Sequence, residues 1–216
     1  MKYYPVFFDL RKKVCLVIGG GAVAERKVRR LLECDASVCV ISESLSEGLQ
    51  CLQEKGQIRY PAARYSATWL DDVFMVICAT DDKEVNEQVM RDCRSRGIPV
   101  NVVDDPERCD FILPSIAEQG DLMIAVSTGG KSPALAKRLR KELERKYGPE
   151  YRELLNIMGK LRSRIVARGR PSEENRAVFE AVINSDILEE LRRGDRERVR
   201  VMIREMTGED LELKEI

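Results

Sequence analysis

Residues 14–32 read VCLVIGGGAVAERKVRRLL, and this run constrains the fold more than any other in the chain. Its first five residues are apolar without polar alternation, the pattern of a strand covered on both faces, as in a parallel sheet. Three glycines follow. Then Ala24, Val28, Leu31 and Leu32 recur at helical spacing as one apolar stripe. The alternation continues through SVCVIS, LSEGLQCLQ, VFMVICAT, KEVNEQVMRDCRS and PVNVVDD. In the later helix Val85, Val89 and Cys93 form the buried stripe, and Gly97 and Pro99 end it before the next strand. This β-α-β-α rhythm predicts an α/β fold, a Rossmann-type doubly wound parallel sheet over residues 1–113.

The texture changes near residue 114. Residues 114–148 predict a small α+β segment, with two short strands around FILPSI and LMIAVS. A helix follows, opened by Ser132 as N-cap with Pro133 at the first helical position and stopped by Gly148 and Pro149. From 149 to 216 the strand signal disappears. Leu154, Met158, Leu161 and Ile165 mark a helix packed on other helices. Further helices are expected after Ser172, Ser185 and Asp195 as N-caps, with Gly194 and Gly208 near helix ends. These residues predict a C-terminal helical domain.

Lys plus Arg and Asp plus Glu number 37 each, so no global field draws the chain to nucleic acid or to an anionic membrane. The longest apolar runs fall far short of the ~20 residues that cross a bilayer. The opening MKYYPVFFDLRKK lacks the apolar core of a secretory signal. Seven cysteines lie between Cys15 and Cys109 with no C-x-x-C pair. The expectation is a soluble cytoplasmic protein with reduced thiols. There is no histidine, which removes the commonest acid/base group and the commonest metal ligand. No metal site is expected, and proton transfer falls to carboxylates, Lys, Tyr, Cys or the substrate.

Gly19, Gly21 and Ala24 fit G-x-G-x-x-[GA] between a predicted strand and a predicted helix. In that setting the first glycine turns the chain, the second admits a pyrophosphate, and the helix N-terminus offers N–H donors to it. An ordinary glycine-rich turn is the bland alternative. Dinucleotide binding would engage Gly19, Gly21, Ala22, Val23 and Thr80, with Glu43 and Ser44 near the ribose, 22 and 23 residues after Gly21. Since no Arg or Lys occupies 42–46, NAD is favoured over NADP. Glu43 could equally solvate a loop. Asp81 and Asp82 serve as N-cap candidates for the following helix. Asn101 and Asp104 lie on or after the next strand, where their side chains could face the nicotinamide end, and Asn101 is counted among the substrate-binding candidates.

IGGGAVAERKVRRLL, ATDDKEVN, NVVDDPERCDFILPSI and AVSTGGKSPALAKRLRKEL, in this order, resemble the siroheme synthase family. Within it they resemble the stand-alone precorrin-2 dehydrogenases, some of which are also sirohydrochlorin ferrochelatases; no methyltransferase segment follows, unlike the fused form. The motifs cover residues 4 to about 145. The resemblance implies NAD-dependent oxidation of precorrin-2 to sirohydrochlorin and a homodimer in which 114–148 is the dimerisation segment. It also implies a substrate cleft between domains. Its key aspartate falls on Asp104, which would accept or position the departing proton, with burial beside an apolar macrocycle raising its pKa. A turn cap is the alternative for Asp104, and Asp105, before Pro106, reads as turn chemistry.

Ser127, Thr128, Gly129, Lys131 and Ser132 form a second glycine-rich turn placed near substrate. Lys131 and the run Lys137, Arg138, Arg140, Lys141 could meet a polycarboxylate, or could pair with Glu142 and Glu144 as a solvated helix face. Fe²⁺ enters only as a second substrate. A contrasting reading is a non-catalytic NAD-binding redox sensor whose helical tail meets a partner.

Overall fold

Alternate residues of the central strands go to opposite faces of one sheet, and both faces are covered. In the computed structural model, which describes residues 2–169 and 171–213, the chain divides into two compact units, Met1–Leu113 and Pro114–Ile216. Arg170 and residues 214–216 of the expected helical domain lie outside the described residues.

The first unit holds β1 (Val14–Ile18), α1 (Ala22–Glu33), β2 (Ser37–Ile41), α2 (Glu47–Glu54), β3 (Ile58–Ala62), β4 (Val73–Cys78), α3 (Lys83–Ser95) and β5 (Val100–Val102), with a 3-10 turn at Ala67–Leu70. The sheet order is β3-β2-β1-β4-β5, every pair parallel. Cys15, Val17, Val38, Val40, Met75 and Ile77 face α1 and α2, where Ala24, Val28, Leu31, Leu49 and Leu52 cover them. Leu16, Ile18, Cys39, Ile41, Val76 and Cys78 face the other way and meet Val89 and Cys93 of α3. Period-2 side chains and period-3.6 stripes are thus matched on both sides, the arrangement the uninterrupted apolar strands demand. The chain runs outward from β1 through β2 to β3, then returns to β4 on β1's other side. Beyond the carboxyl ends of β1 and β4 lies the switch point where such folds take ligands.

The second unit begins with a hairpin, β6 (Ser115–Gln119) and β7 (Leu122–Val126), closed by Gly120 at φ 60° and Asp121. The first strand starts at Ser115 rather than at Phe111, because Pro114 has no N–H to donate and Phe111 is engaged in the preceding loop. Helices α4 (Pro133–Lys146) and α5 (Pro149–Ala167) both pack on the hairpin. Helices α6 (Ser172–Ile183), α7 (Ile187–Arg193) and α8 (Arg196–Thr207) complete a core of Leu154, Ile157, Leu161, Ile165, Ile187, Val199 and Ile203. Ser132 and Asp195 cap α4 and α8 as expected, and Gly194 and Gly208 end α7 and α8 in the left-handed region. Ser172 is the first helical residue, with Pro171 before it. Asp186 precedes α7, while Ser185 Oγ accepts from the Ile187 N–H.

Candidate functional site

Each of the three consecutive glycines has its own physical reason. Gly19 has φ +116°, and a Cβ there would stand 2.3 Å from the Ala79 carbonyl oxygen, so the exits of β1 and β4 meet backbone to backbone. Gly20 would place a Cβ 1.9 Å from the Ser44 carbonyl oxygen, and its own carbonyl accepts from the Ser46 N–H at 2.7 Å. At Gly21 the corresponding space is open for 4 Å. Two glycines let protein approach protein, and the third leaves a cradle facing outward.

Gly21 is also the N-cap of α1, and it brings no side chain to that helix start. By contrast Ser46, Asp82, Ser132 and Asp195 each accept a first-turn N–H of their own helices. The first four N–H groups of a helix have no intrahelical acceptor. Those of Ala22 and Val23 therefore present donors and positive partial charge beside the open space at Gly21, which suits a diphosphate. The residues fit a dinucleotide.

Glu43 and Ser44 follow β2 and are exposed. The Arg64 Nε lies 3.3 Å from Glu43 Oε1, so a guanidinium reaches Glu43 although none stands at 42–46. Beneath this tip the backbone is fixed. The Tyr60 hydroxyl donates to the Ser42 carbonyl at 2.7 Å, and the Ser46 hydroxyl donates to Glu25 Oε2 at 2.6 Å. That hydroxyl, with Arg29, holds the Glu25 carboxyl below its usual range. Gly48 leaves room for the same carboxylate, since a Cβ would meet Glu25 Oε1 at 2.0 Å.

Thr80, half-buried, follows β4 next to Gly19. Its hydroxyl accepts the Asp82 N–H, and its carbonyl accepts from Asn86 Nδ2 at 3.0 Å. Asp82 caps α3 through the N–H groups of Glu84 and Val85, and Asp81 is exposed.

After β5 the chain forms a loop whose crest is Asp104, exposed and at φ +62°. For an L-residue this conformation costs on the order of 1 kcal/mol, less for Asp than for most. Lys27 of α1 is half-buried and interacts electrostatically with Asp104. Burial, then Arg26, lowers the Lys27 pKa, and Asp104 opposes that shift. Val103, beside Asp104, packs on the cluster that holds Ala24 and Val28. Asn101 sits under the loop, 8% exposed, and its Nδ2 donates to the Phe111 carbonyl at 2.9 Å and to Cys109 Sγ at 3.3 Å. Its amide nitrogen is committed inside the protein. Asn101 was expected against substrate; here its Nδ2 is used in bonds beneath the Asp104 loop.

In the second unit, Thr128 Oγ1 accepts the Ser132 N–H, Ser127 Oγ accepts the Gly129 N–H, and Ser132 Oγ accepts the Leu135 N–H. Gly129 and Gly130 have φ of 62° and 83°. Lys131 is exposed, whereas Arg138 and Arg140 pair with Glu142 and Glu144 along α4. The free cations of that run are fewer than its composition suggests.

Lys27, Gly20, Arg64 and Cys109 were not among the expected site residues. Only Gly20 carried a local signal, as the middle member of three glycines. No group of three or more Cys, Asp and Glu side chains is placed to hold a metal among the described residues. No helix of the described residues is long and apolar enough to cross a membrane.

A parallel sheet with an uncapped glycine-loop helix at its switch point is the frame of a nucleotide-binding domain, and residues 6–115 match the family profile described as "Putative NAD(P)-binding". The chain belongs to that family. A second profile, "Sirohaem biosynthesis protein central", matches residues 119–146. A siroheme synthase of Nitrosococcus oceani is 42% identical over 197 residues, covering 91% of this chain and 42% of that protein. One of Methylobacillus flagellatus is 40% identical over 200 residues, covering 93% of this chain and 43% of that protein. The chain thus spans well under half the length of these relatives, and the likeness to siroheme synthases carried by the four sequence blocks is borne out. A solved structure of "SirC, precorrin-2 dehydrogenase" superposes with a TM-score of 0.79 at 24% identity, over 96% of this chain and 100% of that one. That likeness establishes the shared fold.

Proposed function

We propose that the protein oxidises precorrin-2 to sirohydrochlorin with NAD⁺, a step of siroheme biosynthesis. The observation that carries the reading is the Gly21 cradle before an uncapped α1, with Asp104 presented after β5 of the same sheet. The siroheme synthase relatives and the precorrin-2 dehydrogenase fold support the choice of substrate.

Bound NAD⁺ would supply the two-electron acceptor. The chain's residues do the rest. The N–H groups of Ala22 and Val23 would hold the diphosphate over Gly19 and Gly21, and Thr80 would border the crevice. Glu43 and Ser44 would take the ribose hydroxyls, and this acid is what favours NAD although Arg64 stands beside it. Asp104 would accept the proton that the macrocycle loses, in a chain without histidine. Lys27 of α1 would stand as the cationic neighbour of that carboxylate. Ser127, Thr128, Gly129, Lys131 and Ser132 would receive substrate carboxylates through N–H groups, hydroxyls and one exposed ammonium.

The protein would act as a homodimer through residues 114–148, whose exposed Met123, Leu135 and Leu139 support an apolar contact. Its seven free thiols suit the reducing cytoplasm. Fe²⁺ would be a second substrate, with Asp104 taking one of the two pyrrole protons that the metal displaces and solvent water the other.

Mixing protein, NAD⁺ and precorrin-2 should raise NADH absorbance, and adding Fe²⁺ or Co²⁺ should give the spectrum of metallated product. Asp104→Ala should cut turnover by roughly 10²–10⁴-fold while NAD⁺ affinity stays the same. A flat trace from folded protein that binds NAD⁺ would replace the dehydrogenase with a redox sensor.

A further inference from the structure

A buried amide flanked by two valines on a parallel strand needs a partner, and Asn101 has two. Its Nδ2 reaches the Phe111 carbonyl at 2.9 Å and Cys109 Sγ at 3.3 Å. Either side of it the strand is tied to the same returning segment. The Val100 N–H donates to Asp110 Oδ2 at 3.1 Å, and the Asp110 N–H donates to the Val100 carbonyl at 2.9 Å. Cys109 Sγ accepts the Val102 N–H at 3.2 Å and lies 3.1 Å from the carbonyl oxygens of both Val102 and Asp105. A thiol has one proton, so those two oxygens share it. Burial pushes the Cys109 thiol pKa up, which keeps that proton in place at neutral pH.

These bonds join residues 100–102 to 109–111 and close the intervening loop at its base. Asp104 stands at its crest in a left-handed conformation that an L-residue keeps only where its surroundings over-determine it. The side chain of Asp104 is exposed and, among the described residues, has no hydrogen bond to fix the backbone, whereas the loop's base is bonded throughout. We infer that Asn101 is a positioning residue: it latches the 102–111 loop so that the Asp104 carboxylate is already aimed when substrate arrives. The inference rests on the reading of Asp104 as the group that takes the substrate proton. It moves Asn101 from a substrate contact to a residue that acts through its neighbour, and it gives Cys109 the role of filling and tightening the same loop.

Asn101→Ala removes the latch, and Asn101→Asp keeps its shape while removing both N–H donors. In either variant kcat for precorrin-2 oxidation should fall about tenfold or more, as expected for displacement of a reacting group by about 1 Å. KM and NAD⁺ affinity should change less than about twofold. Amide hydrogen exchange should quicken within 102–111 and not in β1 or β4. The decisive measurement repeats Asn101→Ala in an Asp104→Ala background, where it should cause no further loss. The same fold-loss in both backgrounds, or an unchanged kcat, would overturn the inference while leaving Asp104 in its role. Full turnover by Asp104→Ala alone would remove the underlying reading and the inference with it. Should the Asn101 variants fail to fold, Cys109→Ala loosens the loop from inside and should lower kcat in the Asp104 background-dependent way, with Cys109→Ser restoring part of it. Cys109→Ala with wild-type kcat would count against the latch.

Discussion

In the first unit the sheet carries almost no charge, and polar contacts gather beyond the strand ends. In the second, arginine–carboxylate pairs tie helix to helix and the helical core to the segment that follows α8. Arg192 meets Glu150 at 2.9 Å, Arg196 meets Glu153 at 3.0 Å, and Arg200 meets Asp210 at 2.6 Å, while Arg168 pairs with Glu209. The first unit depends on a few backbone approaches that admit no added atom. The second spreads its polar cohesion over many partly exposed pairs, each of which contributes little. Sensitivity to single substitutions should therefore be concentrated in one unit and diluted in the other.

The most severe way to break this contrast is at Gly19. Gly19→Ala combines a positive φ with a Cβ 2.3 Å from a carbonyl oxygen, and should cost the first unit about 3 kcal/mol or more. Gly21→Ala, placed in open space, should stay within about 0.5 kcal/mol. Equal urea midpoints for the two variants would refute the division of labour among the glycines.

Alkali offers a milder test. Burial pushes the thiols of Cys15, Cys78 and Cys93 up to about 11, 12 and 12. Their folded pKa values are raised, so the stability they contribute is complete below the ordinary thiol range. It is lost as pH climbs from about 9 toward those folded values. All seven cysteines lie in the first unit. Fluorescence of Trp69, which packs on the α3 face of the sheet, should therefore change in this window before helical circular dichroism does. Simultaneous loss of both signals would blur the comparison. The smallest effect belongs to Arg196→Met, whose side chain is 33% exposed in its pair with Glu153. It should cost about 1 kcal/mol or less, read by thermal melting.

Much of the first unit was legible because β1, β2 and β4 are apolar on both faces and α1 and α3 carry single stripes. The edge strand β3 was not, since IRYPA alternates buried with exposed positions and contains Pro61. It pairs on one side only, where proline is tolerated. The glycine loop announced its ligand class by spacing. The groups around it did not: Arg64 comes 21 residues after Glu43, and Lys27 and Asp104 come within electrostatic reach only once α1 and β5 pack in one fold. Asn101 was legible as a polar residue at a strand end but not as a brace, because its partners Cys109 and Phe111 declare themselves only when the loop closes.

The Glu25–Ser46 bond and the gap at Gly48 have one more consequence. The path of the chain at 42–48 is bolted by Gly20, Glu25 and Ser46 on one side and by Tyr60 of β3 on the other, and owes nothing to the side chains that project at 43 and 44. Under the proposed assignment of Glu43 and Ser44 to the ribose, nucleotide preference is therefore a detachable trait in this scaffold. Evolution or an engineer can rewrite the two outward residues, and release Arg64 to greet a phosphorylated ribose, without renegotiating the architecture underneath.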